Sequence, residues 1–332
     1  MNNEKKIENK IERLDQIKNE LAKIIVGQQH TIDELLISML AGGHSLLQGV
    51  PGLAKTLLVS CLAKTMKLDF RRVQFTPDLM PSDIVGTEIL EEDHTTGKRF
   101  FEFKKGPVFT NILLADEINR TPPKTQAALL EAMQERSVSY AGQTYQLPSP
   151  FFVLATQNPV EQSGTYPLPE AQLDRFLMFI KVDYPAETEE IEILKRTTGN
   201  SQVEIQGVVD EKQIIELQQM VRDIEISDSL LSYITRLVRQ TRPHESQIQE
   251  IKQYVRWGAG PRAGQALTLC AKAKALLTGR YSVTLEDIYF VLPSVFRHRI
   301  LTNFQAEADA IDIENIVDTL IAKVEKPKSK IG

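Results

Sequence analysis

Apolar residues follow two rhythms along this chain, and the balance between them changes near residue 185. Over residues 5–24, Ile7, Ile11, Leu14, Ile17 and Leu21 recur at helical spacing and predict an N-terminal helix. A second helix is predicted after Gly27, with Ile32, Leu35, Leu36 and Met39 on one face. Short apolar runs then begin. One crosses 44–48 into a Gly/Pro turn; others are Phe70–Phe75, Ile112–Ala115, Phe151–Ala155 and Phe176–Val182. Brief uninterrupted runs of this kind suit parallel strands covered on both faces. Helical patterns separate most of them, over Thr56–Lys67 and over Thr125–Gln134 with Ala127, Leu130, Ala132 and Met133. The alternation predicts an open α/β sheet, with binding sites at the carboxyl ends of its strands.

Two segments break that plan. Glu88–Phe103 reads as a hairpin around Asp93-His94-Thr95-Thr96-Gly97. Ser137–Leu147 reads as a second, turning at Ala141-Gly142, with Val138, Tyr140, Tyr145 and Leu147 in period-2 alternation. Beyond Pro185 the strand pattern stops, and helices are predicted over 187–198, 210–224, 227–240, 261–278, 284–298 and 310–324. In the third, Leu230, Ile234, Leu237 and Val238 form an amphipathic stripe. The expected organisation is an α/β domain over 1–185, with an N-terminal helix and two inserted hairpins, and an all-helical domain over 186–332. The tail from Lys326 is expected to fray.

Composition narrows the function classes. Of 332 residues, 42% are hydrophobic and 25% charged, an ordinary globular balance. The net charge of -5 argues against a broad nucleic-acid footprint, which normally shows as basic excess. Cys61 and Cys270, the two cysteines, sit in apolar helical stretches and read as core side chains in a reducing compartment. The five histidines are scattered without metal-ligand spacing. The polar N-terminus leads into no signal-peptide core, and no apolar run approaches the roughly 18 residues of a membrane span. A soluble, cytoplasmic chain without membrane insertion is expected.

The chemistry concentrates at Gly49-Val50-Pro51-Gly52-Leu53-Ala54-Lys55-Thr56, followed by Leu57. A Gly-rich turn between strand and helix aims backbone N–H groups and a helix N-terminus at an anion. In such a loop Lys55 reaches the β- and γ-phosphates, and the Thr56 hydroxyl ligates Mg²⁺. The strict pattern has glycine before the lysine. Ala54 stands there instead, and its methyl would crowd the phosphates if that residue takes positive φ. The second signal is Ile112-Leu113-Leu114-Ala115-Asp116-Glu117, an apolar strand delivering two carboxylates at its end. Asp116 would hold Mg²⁺, directly or through water. Glu117 would orient and deprotonate the attacking water. Together the two motifs describe a site for ATP and Mg²⁺.

With Asn119-Arg120-Thr121-Pro122-Pro123-Lys124 following, these motifs resemble the AAA+ superfamily, and within it the MoxR ATPases. Ile25-Val26-Gly27-Gln28, Phe75-Thr76-Pro77-Asp78-Leu79, Ala155-Thr156-Gln157-Asn158-Pro159, Leu173-Asp174-Arg175-Phe176 and Gly260-Pro261-Arg262-Ala263 match as well, spanning residue 24 to about 300. Ala54 is itself similar to that family, where Ala-Lys-Thr commonly ends the loop. The resemblance implies a P-loop nucleotide domain followed by a helical lid. It gives Asn158 the sensor 1 role, Arg262 the sensor 2 role toward the phosphates of its own chain, and Arg175 that of an arginine finger offered to a neighbour. Val26 and Gly27 become contacts on the adenine side. The two hairpins correspond to the helix-2 and pre-sensor-1 inserts, facing a client or decorating the surface. A homo-oligomeric ring, expected to be a hexamer, would hydrolyse Mg-ATP to remodel or activate a client protein, the expected client being one that carries a von Willebrand A domain. Three other readings stay open. One is a DNA-acting motor of the same superfamily, against which the acidic balance weighs. Another is a nucleotide-gated binding switch with little turnover, against which the intact Asp116-Glu117 pair speaks. The third, narrower one is a magnesium-chelatase-like motor subunit.

Overall fold

The computed structural model describes residues 2–50, 52–92, 95, 97, 99–159, 164–199 and 203–327. Pro51 of the phosphate loop, most of the 93–97 turn and the tail beyond Pro327 lie outside the described residues. In chain order the elements are α1 (Asn2–Ala22), α2 (Gln29–Leu40), β1 (Ser45–Gln48), α3 (Lys55–Thr65), β2 (Phe70–Gln74) and α4 (Pro81–Val85). Then come β3 (Gly86–Glu92), β4 (Arg99–Lys105), β5 (Ile112–Asp116), α5 (Pro123–Glu135), β6 (Ser137–Tyr140), β7 (Gln143–Gln146), β8 (Phe152–Gln157), α6 (Glu170–Leu173) and β9 (Met178–Lys181). The remainder is α7 (Glu187–Thr197), α8 (Glu211–Asp223), α9 (Asp228–Gln240), α10 (Gln249–Tyr254), β10 (Val255–Trp257), α11 (Pro261–Leu277), α12 (Leu285–Phe296), β11 (Leu301–Thr302), α13 (Phe304–Ala308) and α14 (Ile313–Lys323).

Five strands form one parallel sheet in the order β2-β5-β8-β1-β9. Successive side chains of a strand point to opposite faces, and the two hydrophobic cores divide along that alternation. Leu47, Ile112, Leu114, Phe152, Leu154, Met178 and Ile180 belong to one core. Their chain neighbours Leu46, Leu113, Ala115, Val153, Ala155 and Phe179 belong to the other, under α5. Burial on both faces is why these strands read as continuous apolar runs.

The first core continues without interruption from the sheet through α2 into α8, α9, α11 and α12. The helical part therefore docks on the face of the sheet that carries α2. Asp33 of α2 reinforces this docking, with Lys18 of α1 at 2.8 Å and Lys274 of α11 at 3.0 Å. The predicted strands and long helices are present, and both hairpins form, β3 with β4 and β6 with β7. One feature beyond Pro185 departs from the helical expectation. Val255–Trp257 and Leu301–Thr302 pair as a two-stranded antiparallel ribbon. Strands this short carry no alternation long enough to be read in a sequence. Cys61 and Cys270 are buried, and burial pushes the Cys270 thiol up to about 12.

Candidate functional site

The carboxyl ends of β1, β5 and β8 lie side by side, since β8 pairs with both neighbours in parallel register. The Gly49–Thr56 loop leaves β1 there, Asp116 and Glu117 leave β5, and Asn158 leaves β8. Gly49 permits a close approach: a Cβ on it would stand 2.8 Å from the Val182 carbonyl oxygen. Gly52 has φ 89, where its missing side chain matters. Ala54 has φ 52 and caps α3, so the residue does take the left-handed conformation questioned above. Because α3 begins at Lys55, its first-turn N–H groups lack partners inside the helix and face this loop.

The lysine and the acids interact. Lys55 Nζ donates to the Gly49 carbonyl at 2.5 Å. Burial pushes its pKa down, while Asp116 and Glu117 pull it back up. Thr156 ties the two carboxylate residues together. Its hydroxyl donates to Asp116 Oδ1 at 2.6 Å and accepts the Glu117 N–H at 2.9 Å. Arg72 of β2 donates to Asp116 Oδ2 from Nε at 3.0 Å and from Nη2 at 2.6 Å. Glu117 has φ 57, a strained conformation for a residue with a side chain. Its Oε2 accepts from Gln74 at 2.8 Å and from Arg120 at 3.1 Å. Arg72, Gln74 and Thr156 went unassigned in the sequence because the acids they touch lie about 40 residues along the chain.

This donor set fits a triphosphate with its metal. The loop offers amides and an ammonium, and Asp116 meets Thr156 on one oxygen and Arg72 on the other. With both oxygens engaged, Asp116 suits holding a metal-bound water better than the metal itself. Val26 and Gly27 adjoin the loop, because Gln28 Nε2 of the same turn donates to the Leu53 carbonyl at 3.4 Å. On its other side Gly27 abuts the Glu189 carboxylate of α7. Leu53 is buried, and Leu57 is 45% exposed on α3.

Arg175 and Arg262 lie elsewhere. Leu177, just before β9, donates to the His44 carbonyl just before β1, so the 174–177 turn sits at the amino end of the sheet. Arg175 and Arg262 line one cavity with Gly42, Gly43 and His44, which also precede β1. The four residues of β1, roughly 13 Å of strand, separate that level from the phosphate loop. The structure therefore does not bring Arg262 to the described residues of its own chain's phosphate loop. Docking of the lid on α2 places the start of α11 at the far end of the sheet, where Arg262 stands 3.7 Å from Asp174. Asp174 pairs with Arg299 at 2.7 Å. Among the described residues no ion pair joins it to Arg175.

Residues 44–178 match the family described as "ATPase family associated with various cellular activities (AAA)", and residues 248–320 match "AAA lid domain". The chain is 43% identical over 310 residues to "Chaperone MoxR1" of Mycobacterium tuberculosis, covering 93% of this chain and 81% of that one. It is 32% identical to "Protein MoxR" of Paracoccus denitrificans, over 92% of this chain and 93% of that protein. A solved structure from Cytophaga hutchinsonii superposes with TM-score 0.91 at 46% identity, covering 98% of both chains. Walker-type loop, paired strand-end carboxylates, helical lid and these relatives agree: the chain belongs to the MoxR family of AAA+ ATPases.

Proposed function

We propose that this chain hydrolyses Mg-ATP at sites shared between neighbouring subunits of a ring, with residues 1–185 as nucleotide domain and 186–332 as lid. Each site would take its phosphate loop, Asp116, Glu117 and Asn158 from one subunit and Arg175 with Arg262 from the next. One observation carries the reading: the two arginines stand together at the end of the sheet opposite their own chain's phosphate loop. A guanidinium there serves a neighbour's nucleotide, where a planar, permanently charged fork matches phosphate oxygens.

Within one subunit the geometry supports a division of roles. First-turn amides of α3 and the Lys55 ammonium bind the phosphates. Thr56, and Asp116 through water, would hold magnesium, which would supply charge neutralisation to the phosphates. Glu117 takes the proton of the attacking water, with Gln74 and Arg120 fixing its carboxylate. Asn158 offers a neutral amide beside that water. Arg175 arriving in trans would contribute about 10³–10⁵ in rate. Turnover would drive remodelling of a separate client protein, in keeping with the chaperone name of the M. tuberculosis relative. A hexameric ring in the cytoplasm and a client with a von Willebrand A domain complete the reading.

Complementation tests it. Lys55→Ala and Arg175→Ala should each be nearly inactive alone, and mixed assemblies should regain activity where an intact Lys55 site meets an intact Arg175. Normal hydrolysis by assembled Arg175→Ala, or no recovery in exchanged mixtures, would overturn the shared site.

A further inference from the structure

The Asp174 carboxylate is the meeting point of two lid arginines. Arg299 Nε donates to Oδ1 at 2.7 Å, and Arg262 Nη1 stands 3.7 Å from Oδ2. The other Arg299 donors are also taken. Nη1 donates to the Leu177 carbonyl at 3.1 Å and the Val295 carbonyl at 2.7 Å, and Nη2 to the Phe176 carbonyl at 2.8 Å. His298 adds Nε2 to the same Phe176 carbonyl at 3.0 Å. The Arg299 side chain is only 4% exposed.

These contacts bracket Arg175. The residue before it and the two after it are fastened to the lid, while Arg175 itself lines the open cavity beside Arg262. The binding pattern needs the fork of a guanidinium. One planar group spans a carboxylate and three carbonyls, whereas a lysine ammonium is a single point with three donors. Arg299 sits with Phe176 and Leu177 at the amino end of β9, away from the described residues of its own chain's phosphate loop.

We infer that Arg299 is a positioning residue that locks Arg175 and Arg262 into one rigid unit, so the lid presents both guanidinium groups together to the neighbouring subunit's γ-phosphate. The inference rests on the shared-site reading above. Arg299 touches no substrate. It sets the place and angle of the two groups that would, and misplacement of such groups by about 1 Å can cost about 10²-fold in rate.

The test uses Arg299→Lys, which keeps the positive charge, with Asp174→Asn as a second variant that keeps the side-chain size. Thermal unfolding and assembly size verify that each folds and associates. Titration with N-methylanthraniloyl-ATP should show unchanged affinity at the variant's own loop. Hydrolysis should show kcat down by about 10²-fold with KM within about twofold. Mixing Arg299→Lys with Lys55→Ala should restore activity, because the Lys55→Ala subunit supplies a correctly held arginine pair to an intact loop. A purely structural defect in the variant's own nucleotide site would not be repaired this way. Unchanged kcat in both variants overturns the inference, as does a loss that Lys55→Ala fails to rescue while the Arg175→Ala and Lys55→Ala mixture recovers. If that second mixture also stays inactive, the shared-site reading itself falls, and the inference with it.

Discussion

Arg72 and Asp116 stand on adjacent parallel strands, joined by two hydrogen bonds of 3.0 and 2.6 Å at the carboxyl edge of the sheet. The arginine therefore shares the oxygen through which Asp116 would order water around a bound metal. An exposed pair of this kind contributes at most about 1 kcal/mol, and Arg72 is 47% exposed. Arg72→Gln is expected to lower the half-saturating Mg²⁺ concentration for hydrolysis by up to about fivefold, the equivalent of that energy. A magnesium titration at saturating ATP measures it, and an increase would contradict the competition.

Lys55→Ala should abolish tight nucleotide binding and leave the fold intact, because Lys55 is half-buried and, among the described residues, its hydrogen bond goes to the Gly49 carbonyl. Circular dichroism checks the fold, and equilibrium binding of ATP checks the site. Unchanged affinity would remove the phosphates from this loop.

Glu117→Gln keeps the shape and the contacts to Gln74 and Arg120 while removing the basic oxygen. The variant should bind Mg-ATP normally and turn it over about 10²–10⁴-fold more slowly. Single-turnover measurement separates the two steps, and undiminished turnover would move the base elsewhere.

His44 gives the fold a pH signature. Its Nδ1 accepts the Val153 N–H at 2.9 Å, so the ring proton sits on Nε2 and faces the Met133 carbonyl at 3.1 Å. Full burial holds its pKa down at about 4, against 6.5 in the unfolded chain. The folded state thus prefers the neutral ring. Its contribution is complete above pH 6.5 and is lost as pH falls toward 4, because the unfolded chain binds the extra proton first. The window corresponds to about 3 kcal/mol. His44→Gln should flatten the decline of stability between pH 6.5 and 4, though it lowers stability at neutral pH. Urea unfolding across that range tests it, and an unaltered slope would assign the acid sensitivity to other groups.

What the sequence revealed and what it hid divide by distance along the chain. The phosphate loop and the Asp116-Glu117 strand end are contiguous, so backbone conformation and chemistry are written together in a few residues. The β6–β7 hairpin was legible because Val138, Tyr140, Tyr145 and Leu147 alternate around Ala141-Gly142. Thr156 stood within a recognised stretch, yet its link to Asp116 exists only because β8 pairs with β5. Arg72 and Arg299 were invisible for the same reason, their partners lying 44 and 125 residues away. The direction of Arg262 depends on how the lid packs against α2, which no local pattern encodes.

The polarity of the parallel sheet has a consequence for stoichiometry. A loop at one end and an arginine pair at the other cannot meet within a single rigid chain, so any match between them is head to tail. Contacts of that type either close into a ring or run on as a filament. An open row always contains one match fewer than it has members, leaving a lone loop at one terminus. On the shared-site proposal, an isolated pair would then work at half strength per chain, and a single copy not at all. Dilution should accordingly depress specific activity more steeply than it depresses nucleotide binding, because the loop alone holds the phosphates while closure of the row brings every member into use.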